Sequence, residues 1–204
     1  MPLELPQEGG TTATVLLLHG GGLLAAWVGD SRAVLGEVGA AGAAGWTATE
    51  VTHDHNVLDE AERTRLLAAG GKTGKDLYAQ HVYVPGSEGT LKLTRSLGDS
   101  PFHKGEAVSA KPGVRHLPLT AAARFVIVAS DGIWDHLDNQ RAVEVVGSTL
   151  EAHEAFSGGG GAATAAAAAA CDAVLDHIAA GQADGSMKPG VDDRSIVVLL
   201  LRRD

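Results

Sequence analysis

The sequence predicts an α+β protein built on antiparallel sheets, and three observations lead there. Strand-type patterning fills the first part of the chain, with apolar runs broken by glycine-rich turns. Helical patterning dominates from about residue 140 to residue 180. The early connections are too short for the crossover of about a dozen residues that parallel strands require, so βαβ alternation is weak.

Thr11 to Leu18 and Leu23 to Val28 read as two strands joined by a turn at His19 to Gly22. Asp30-Ser31-Arg32 is a second tight turn, and Ala33 to Glu37 and Trp46 to Val51 continue the meander. Asp59 to Ala69 switches to helical spacing. Its acidic residues come first, its arginines follow, and Gly70-Gly71 closes it, an order that suits the helix dipole and a glycine cap. Gln80 to Val84 alternates like a strand. Arg124 to Ala129 contains the continuous apolar run of a buried strand. Gln140 to His153 and Ala162 to Ala180 carry helical patterns, with a flexible glycine-rich loop expected at Ser157 to Gly161. Residues 157–170 read as a Gly/Ala-rich insertion, expected as a surface loop, within a single domain spanning residues 1–204. Ser195 to Leu201 is the last strand.

The 204 residues are 45% hydrophobic and 20% charged, which suits one globular domain or a large part of one. A net charge of -9 argues against nucleic acid and against an anionic membrane surface, because no basic stripe is present. A single cysteine, Cys171, excludes an internal disulfide and favours a reducing compartment. It reads as a small buried residue of an alanine-rich helix. Met1-Pro2-Leu3-Glu4 has neither the basic nor the apolar region of a signal peptide. Residues 13–28 contain His19 and three glycines, which a membrane helix tolerates badly. The expectation is an intracellular monomer, in cytoplasm or nucleus, without membrane association.

His19-Gly20-Gly21-Gly22 and Gly29-Asp30-Ser31 resemble the oxyanion loop and nucleophile elbow of esterases. The geometry fails twice. A strand occupies most of the gap between His19 and Ser31, where two parallel strands would need a crossover. The elbow also needs glycine two places after its serine, and that position is Ala33. Ser31 is therefore read as a turn residue.

The stronger signal is VIVASDGIWDHL, residues 126–137. A buried strand ends in Ser130-Asp131-Gly132, and a carboxylate at such a strand mouth needs a helix N-terminus, an arginine or a metal. Asp131 fits the N-cap of residues 132–137 equally well. Asp192-Asp193 precedes the last strand, and Asp30 follows the strand that ends at Val28. Three strand ends carrying aspartates, without HExxH or CxxC, suit hard cations such as Mg²⁺ or Mn²⁺ rather than zinc.

In this order the chain resembles the type 2C, or PPM, metal-dependent serine/threonine protein phosphatases. The matching stretches are WVGDSRAVL (27–35), DEAERTRLLAAGG (59–71), LKLTRSLGD (91–99), VIVASDGIWDHLDNQ (126–140) and DDRSIVVLLL (192–201), with KPGVRHLPL (111–119) before the strand of the fourth. The resemblance implies a four-layer α-β-β-α sandwich of two antiparallel sheets, incomplete at its N-terminus. It implies two Mg²⁺ or Mn²⁺ ions, with a third in some members, and phosphorylated proteins as substrates. By motif, Asp131 and Asp192 are ligands of the core metals. Asp30 and Asp135, with Asp131, match the group for a further metal. Arg95 and Asp99 match an architectural motif, and Arg194 stands where the family has an apolar residue. The family's DGHGG motif, with its bridging aspartate and general-acid histidine, is absent from the 204 residues, as is its phosphate-gripping arginine. Two readings follow: part of an active phosphatase, or a catalytically inactive binding or regulatory module.

Overall fold

Apolar runs lay down most of the longer strands in the computed structural model, which describes residues 9–39, 45–75, 80–156, 160–190 and 192–201. The first half holds β1 (Gly10–Thr11), β2 (Ala13–His19), β3 (Gly22–Val28), β4 (Arg32–Val38), β5 (Trp46–Glu50) and α1 (Glu60–Ala68). Three short strands follow, β6 (Lys72–Thr73), β7 (Val82–Tyr83) and β8 (Leu97–Gly98), and then a 3₁₀ segment over Ser100–Glu106. The second half holds β9 (Gly113–Pro118), β10 (Ala123–Ala129), α2 (Asp131–Trp134), α3 (Asn139–Ala152), α4 (Gly160–Ala183) and β11 (Ile196–Leu200).

These elements gather into two compact units. One contains the described residues up to Leu17, Leu24–Ser31 and His53–Arg115; the other contains Leu18–Leu23, Arg32–Thr52 and the described residues from His116 onward.

The second unit is built on a four-stranded antiparallel sheet in the order β11-β10-β4-β5. Phe125, Ile127 and Ala129 of β10, Val34 of β4 and Val198 of β11 pack with Val143, Val146 and Leu150 of α3 and with Val174 and Ile178 of α4. Val126, on the opposite side of β10, is also fully buried, which is why this strand reads as an unbroken apolar run. β11 is an edge strand and alternates instead: Val198 is buried while Val197 is 61% exposed. Gly147 is the point of closest approach between α3 and Trp46, because a Cβ there would collide with the indole ring.

The glycine-rich loop expected up to Gly161 ends earlier, and the surface loop expected through residue 170 is helix from Gly160 on. Residues 157–159 lie outside the described residues. Ala163, Ala166 and Ala170 continue, at helical spacing, the same buried face as Val174 and Ile178. Alanine is the best helix former, and here its small side chain also meets the core. Cys171 packs against that core half-buried, and burial raises its thiol pKa. α4 is long and apolar enough to cross a membrane by length and composition, although this face of it is buried against the sheet.

In the first unit, residues 13–17, 24–28 and Gly113–Arg115 run in a three-stranded sheet of order β2-β3-β9. α1 begins where the sequence places it. Asp59 is its N-cap and accepts a hydrogen bond from the Glu62 amide at 2.9 Å. Gly70, at φ +82, and Gly71 close it, with the Gly71 amide donating to the Leu66 carbonyl at 3.0 Å. Leu66 anchors the helix in a small core with Val82, Val84, Phe102 and Val108. β9, bounded by Pro112 and Pro118, and the 3₁₀ segment, with Pro101 in its first turn, carry no clear periodicity in the sequence.

Candidate functional site

The segments that carry the strand-end aspartates of the second unit are brought side by side by the β10-β11 ladder. Ala129 pairs with Ile196, so the end of β10 and the beginning of β11 lie side by side. Asp131 follows one by two residues, and Asp192 precedes the other by four. Ser130 ties the two segments. Its amide donates to the Ser195 carbonyl at 3.0 Å, its hydroxyl accepts from the Ser195 amide at 3.0 Å, and that hydroxyl donates to the Asp193 carbonyl at 3.3 Å. Gly132 completes the contact, since a Cβ there would strike the Asp193 carbonyl. The S-D-G order thus has a local cause: serine bridges, aspartate starts the helix and glycine lets the neighbouring strand approach.

Asp131 is the first residue of α2, and Ser130 occupies the N-cap, so the cap expected at Asp131 is displaced by one residue. Asp135 closes the same single turn, its amide donating to the Asp131 carbonyl at 2.8 Å, and it is exposed. Asp192 is exposed and accepts a hydrogen bond from the Asp193 amide at 2.9 Å. Beneath them, the Trp134 indole donates to the Ala129 carbonyl at 2.9 Å, and the Arg32 guanidinium lies 5.2 Å from the Trp134 ring centroid. Arg194 reaches away toward α4, donating to Gln182 Oε1 at 3.0 Å.

This donor set fits a hard divalent cation in kind, being made of carboxylates at neighbouring strand ends. In number it falls short of a coordination sphere: among the described residues no three His, Cys, Asp or Glu side chains converge as a metal group.

Asp30 belongs to the first unit. Its turn is formed by Gly29, at φ +96, and by Ser31, whose hydroxyl lies 2.7 Å from that of Thr12. Ser31 is engaged as a turn residue. His55 faces the same turn, accepting from the Gly29 amide at Nδ1 (3.2 Å) and donating its own amide to the Gly29 carbonyl (3.0 Å).

A buried charge network also lies in this unit. Glu62, on α1 and 6% exposed, accepts from the Thr94 hydroxyl at 2.7 Å, from Arg65 Nη2 at 3.1 Å and from Arg95 through both Nε and Nη2. Burial alone would raise its pKa, but the hydrogen bonds from Arg95, Thr94 and Arg65 overcome that and hold it at about 2. Arg95 also donates to the Lys111 carbonyl at 2.9 Å, which makes it the architectural residue its motif suggested. Sequence reasoning missed Glu62 and His55. The available signal was a carboxylate four residues before Leu66, on the face of α1 that Leu66 buries.

With this geometry in place, comparison with known proteins is specific. The family profile described as Protein phosphatase 2C matches residues 2–187. The chain is 32% identical over 158 residues to Protein phosphatase 1G of Homo sapiens, a match covering 74% of this chain and 26% of that protein. It is 36% identical over 151 residues to Probable protein phosphatase 2C 27 of Oryza sativa subsp. japonica, covering 71% of this chain and 38% of that protein. In fold it is similar to the serine-threonine phosphatase 2C of Toxoplasma gondii, with a TM-score of 0.74 at 20% identity, covering 95% of this chain and 58% of that one. The chain therefore spans between a quarter and two fifths of these two curated relatives.

Proposed function

Because the chain belongs to the protein phosphatase 2C family, we propose that it serves the hydrolysis of phosphoserine and phosphothreonine in proteins, in a reaction that depends on divalent cations. The observation that supports this reading is the pairing of the two chain segments that carry Asp131 and Asp192, tied by Ser130. These are the residues that the family motifs assign to the core metals. A half-buried carboxylate at Asp131 and an exposed one at Asp192, beside a fixed backbone, suit Mg²⁺ or Mn²⁺, which keep several waters and take few protein oxygens. Two core ions match the motif pattern. Asp135, on the same helical turn as Asp131, is proposed as a ligand of a further ion on the motif match alone, and Asp30 is proposed as a metal ligand on its own motif match.

Two positive ions need a bridging anion between them, and neither a DGHGG aspartate nor its histidine occurs in the 204 residues. The proposed activity therefore requires donors beyond Asp131 and Asp192. Phosphate release from a phosphothreonine peptide in millimolar Mn²⁺ tests the reading. The protein is assayed with a DGHGG-bearing segment of a relative joined upstream. Turnover that requires Mn²⁺ and is abolished by Asp131→Asn supports it; turnover that survives Asp131→Asn refutes the assignment.

A further inference from the structure

We infer that His55 is a positioning residue: it fixes both sides of the Gly29 peptide and thereby sets the direction from which Asp30 leaves its turn. The observation is a two-point clamp. The Gly29 amide donates to His55 Nδ1 at 3.2 Å, and the His55 amide donates to the Gly29 carbonyl at 3.0 Å. One residue therefore satisfies both polar groups of the residue immediately before Asp30. Gly29 stands at φ +96, where side chains are strained, and a Cβ there would also collide with Thr12. The turn is thus confined by Thr12 on one side and His55 on the other.

His55 is itself held from three directions. Its ring stacks on Trp27, with centroids 5.6 Å apart and planes inclined by 7°. The Trp27 indole donates to the His53 carbonyl at 2.6 Å, which pins the segment entering His55. The Thr94 amide donates to the His55 carbonyl at 2.8 Å, and the Thr94 hydroxyl binds Glu62. The chain of support runs from α1 through Glu62, Thr94 and His55 to Gly29. Its far end is buried and charge-locked, whereas its near end carries the half-buried Asp30.

The clamp requires Nδ1 to be an acceptor, so the ring is neutral with its proton on Nε2. His55 is 5% exposed; burial, and then the charge of Arg95, lower its pKa from 6.5 to about 4, which keeps that state at neutral pH. The consequence for Asp30 as a metal ligand rests on the motif-based reading above, while the clamp itself does not.

Two substitutions in the 204-residue chain separate the ring from its acceptor. His55→Phe keeps a ring against Trp27 and removes the acceptor, whereas His55→Asn places an amide oxygen near the Nδ1 position and removes the ring. Amide hydrogen exchange at Gly29 and Mn²⁺-induced broadening of Asp30 resonances are read in both. The clamp predicts about tenfold faster Gly29 exchange in His55→Phe, a loss of broadening at Asp30, and recovery of both in His55→Asn. Unchanged Gly29 exchange in His55→Phe, or equal effects of the two variants, overturns the proposal. If His55→Phe does not fold, the through-hydrogen-bond coupling between the Gly29 nitrogen and His55 Nδ1 in the unsubstituted chain decides, and its absence refutes the clamp. Asp30→Asn distinguishes the two claims. Broadening that persists in Asp30→Asn refutes the metal role of Asp30, while Gly29 exchange still judges His55.

Discussion

Replacing Glu62 by alanine removes a buried carboxylate from between two partly buried guanidinium groups. Arg95 then keeps only its hydrogen bond to the Lys111 carbonyl within this network, and the Thr94 hydroxyl loses its acceptor. Arg65 is better provided for, because it also donates to the carbonyls of Thr94, Glu106 and Ala107. Leaving one member of a buried ion pair without its partner costs about 3–5 kcal/mol. With a urea slope of about 2 kcal/mol/M, the midpoint falls by about 2 M. Glu62→Gln keeps an acceptor for Thr94 but loses the charge, and the expected cost is about 1.5–3 kcal/mol. The pH dependence follows from the direction of the shift. A carboxyl held at about 2, against 4.5 unpaired, stabilises fully above pH 4.5, and that stabilisation is lost as pH falls through about 2. Equilibrium urea unfolding of both variants at pH 7 and pH 3 is the assay. A loss below about 1 kcal/mol in Glu62→Ala at pH 7 would refute the reasoning that the Glu62 network stabilises the fold.

His55 gives a separate pH window. Its pKa is lowered from 6.5 to about 4, so the native state excludes a proton that the unfolded chain binds. Stability falls as pH drops from about 6.5 to about 4, by up to about 3 kcal/mol, and His55→Asn flattens that part of the curve measured by urea midpoints. Ala166→Asp puts a carboxylate into the buried face of α4 and lowers stability by about 3 kcal/mol or more in the same assay, whereas a true surface loop would tolerate it. Gly147→Ala overpacks the contact with Trp46 and costs about 1–3 kcal/mol, detectable by thermal melting with a shift of the tryptophan fluorescence.

Local patterning made much of this fold legible. The strands through residue 50, the cap and stop of α1 and the buried run of β10 all follow from signals within a few residues. The start of α4 did not, because consecutive glycines read as loop while the sheet beneath supplies the stabilisation that glycine lacks. The S-D-G segment was legible as chemistry, but the role of Ser130 was not, since its partners lie about 65 residues away in sequence. Glu62 looked like one of several acids in the first turn of a solvated helix. Only tertiary contact with Thr94 and Arg95 separates it from Glu60.

The central claim is that the paired ends of β10 and β11 hold a divalent cation through Asp131 and Asp192. Anomalous diffraction at the manganese edge from crystals grown with Mn²⁺ and a DGHGG-bearing upstream segment tests it most directly. The account predicts an anomalous peak with carboxylate oxygens of Asp131 and Asp192 at about 2.0–2.3 Å or one water removed. Manganese bound elsewhere, with both carboxylates outside its first two shells, would contradict it.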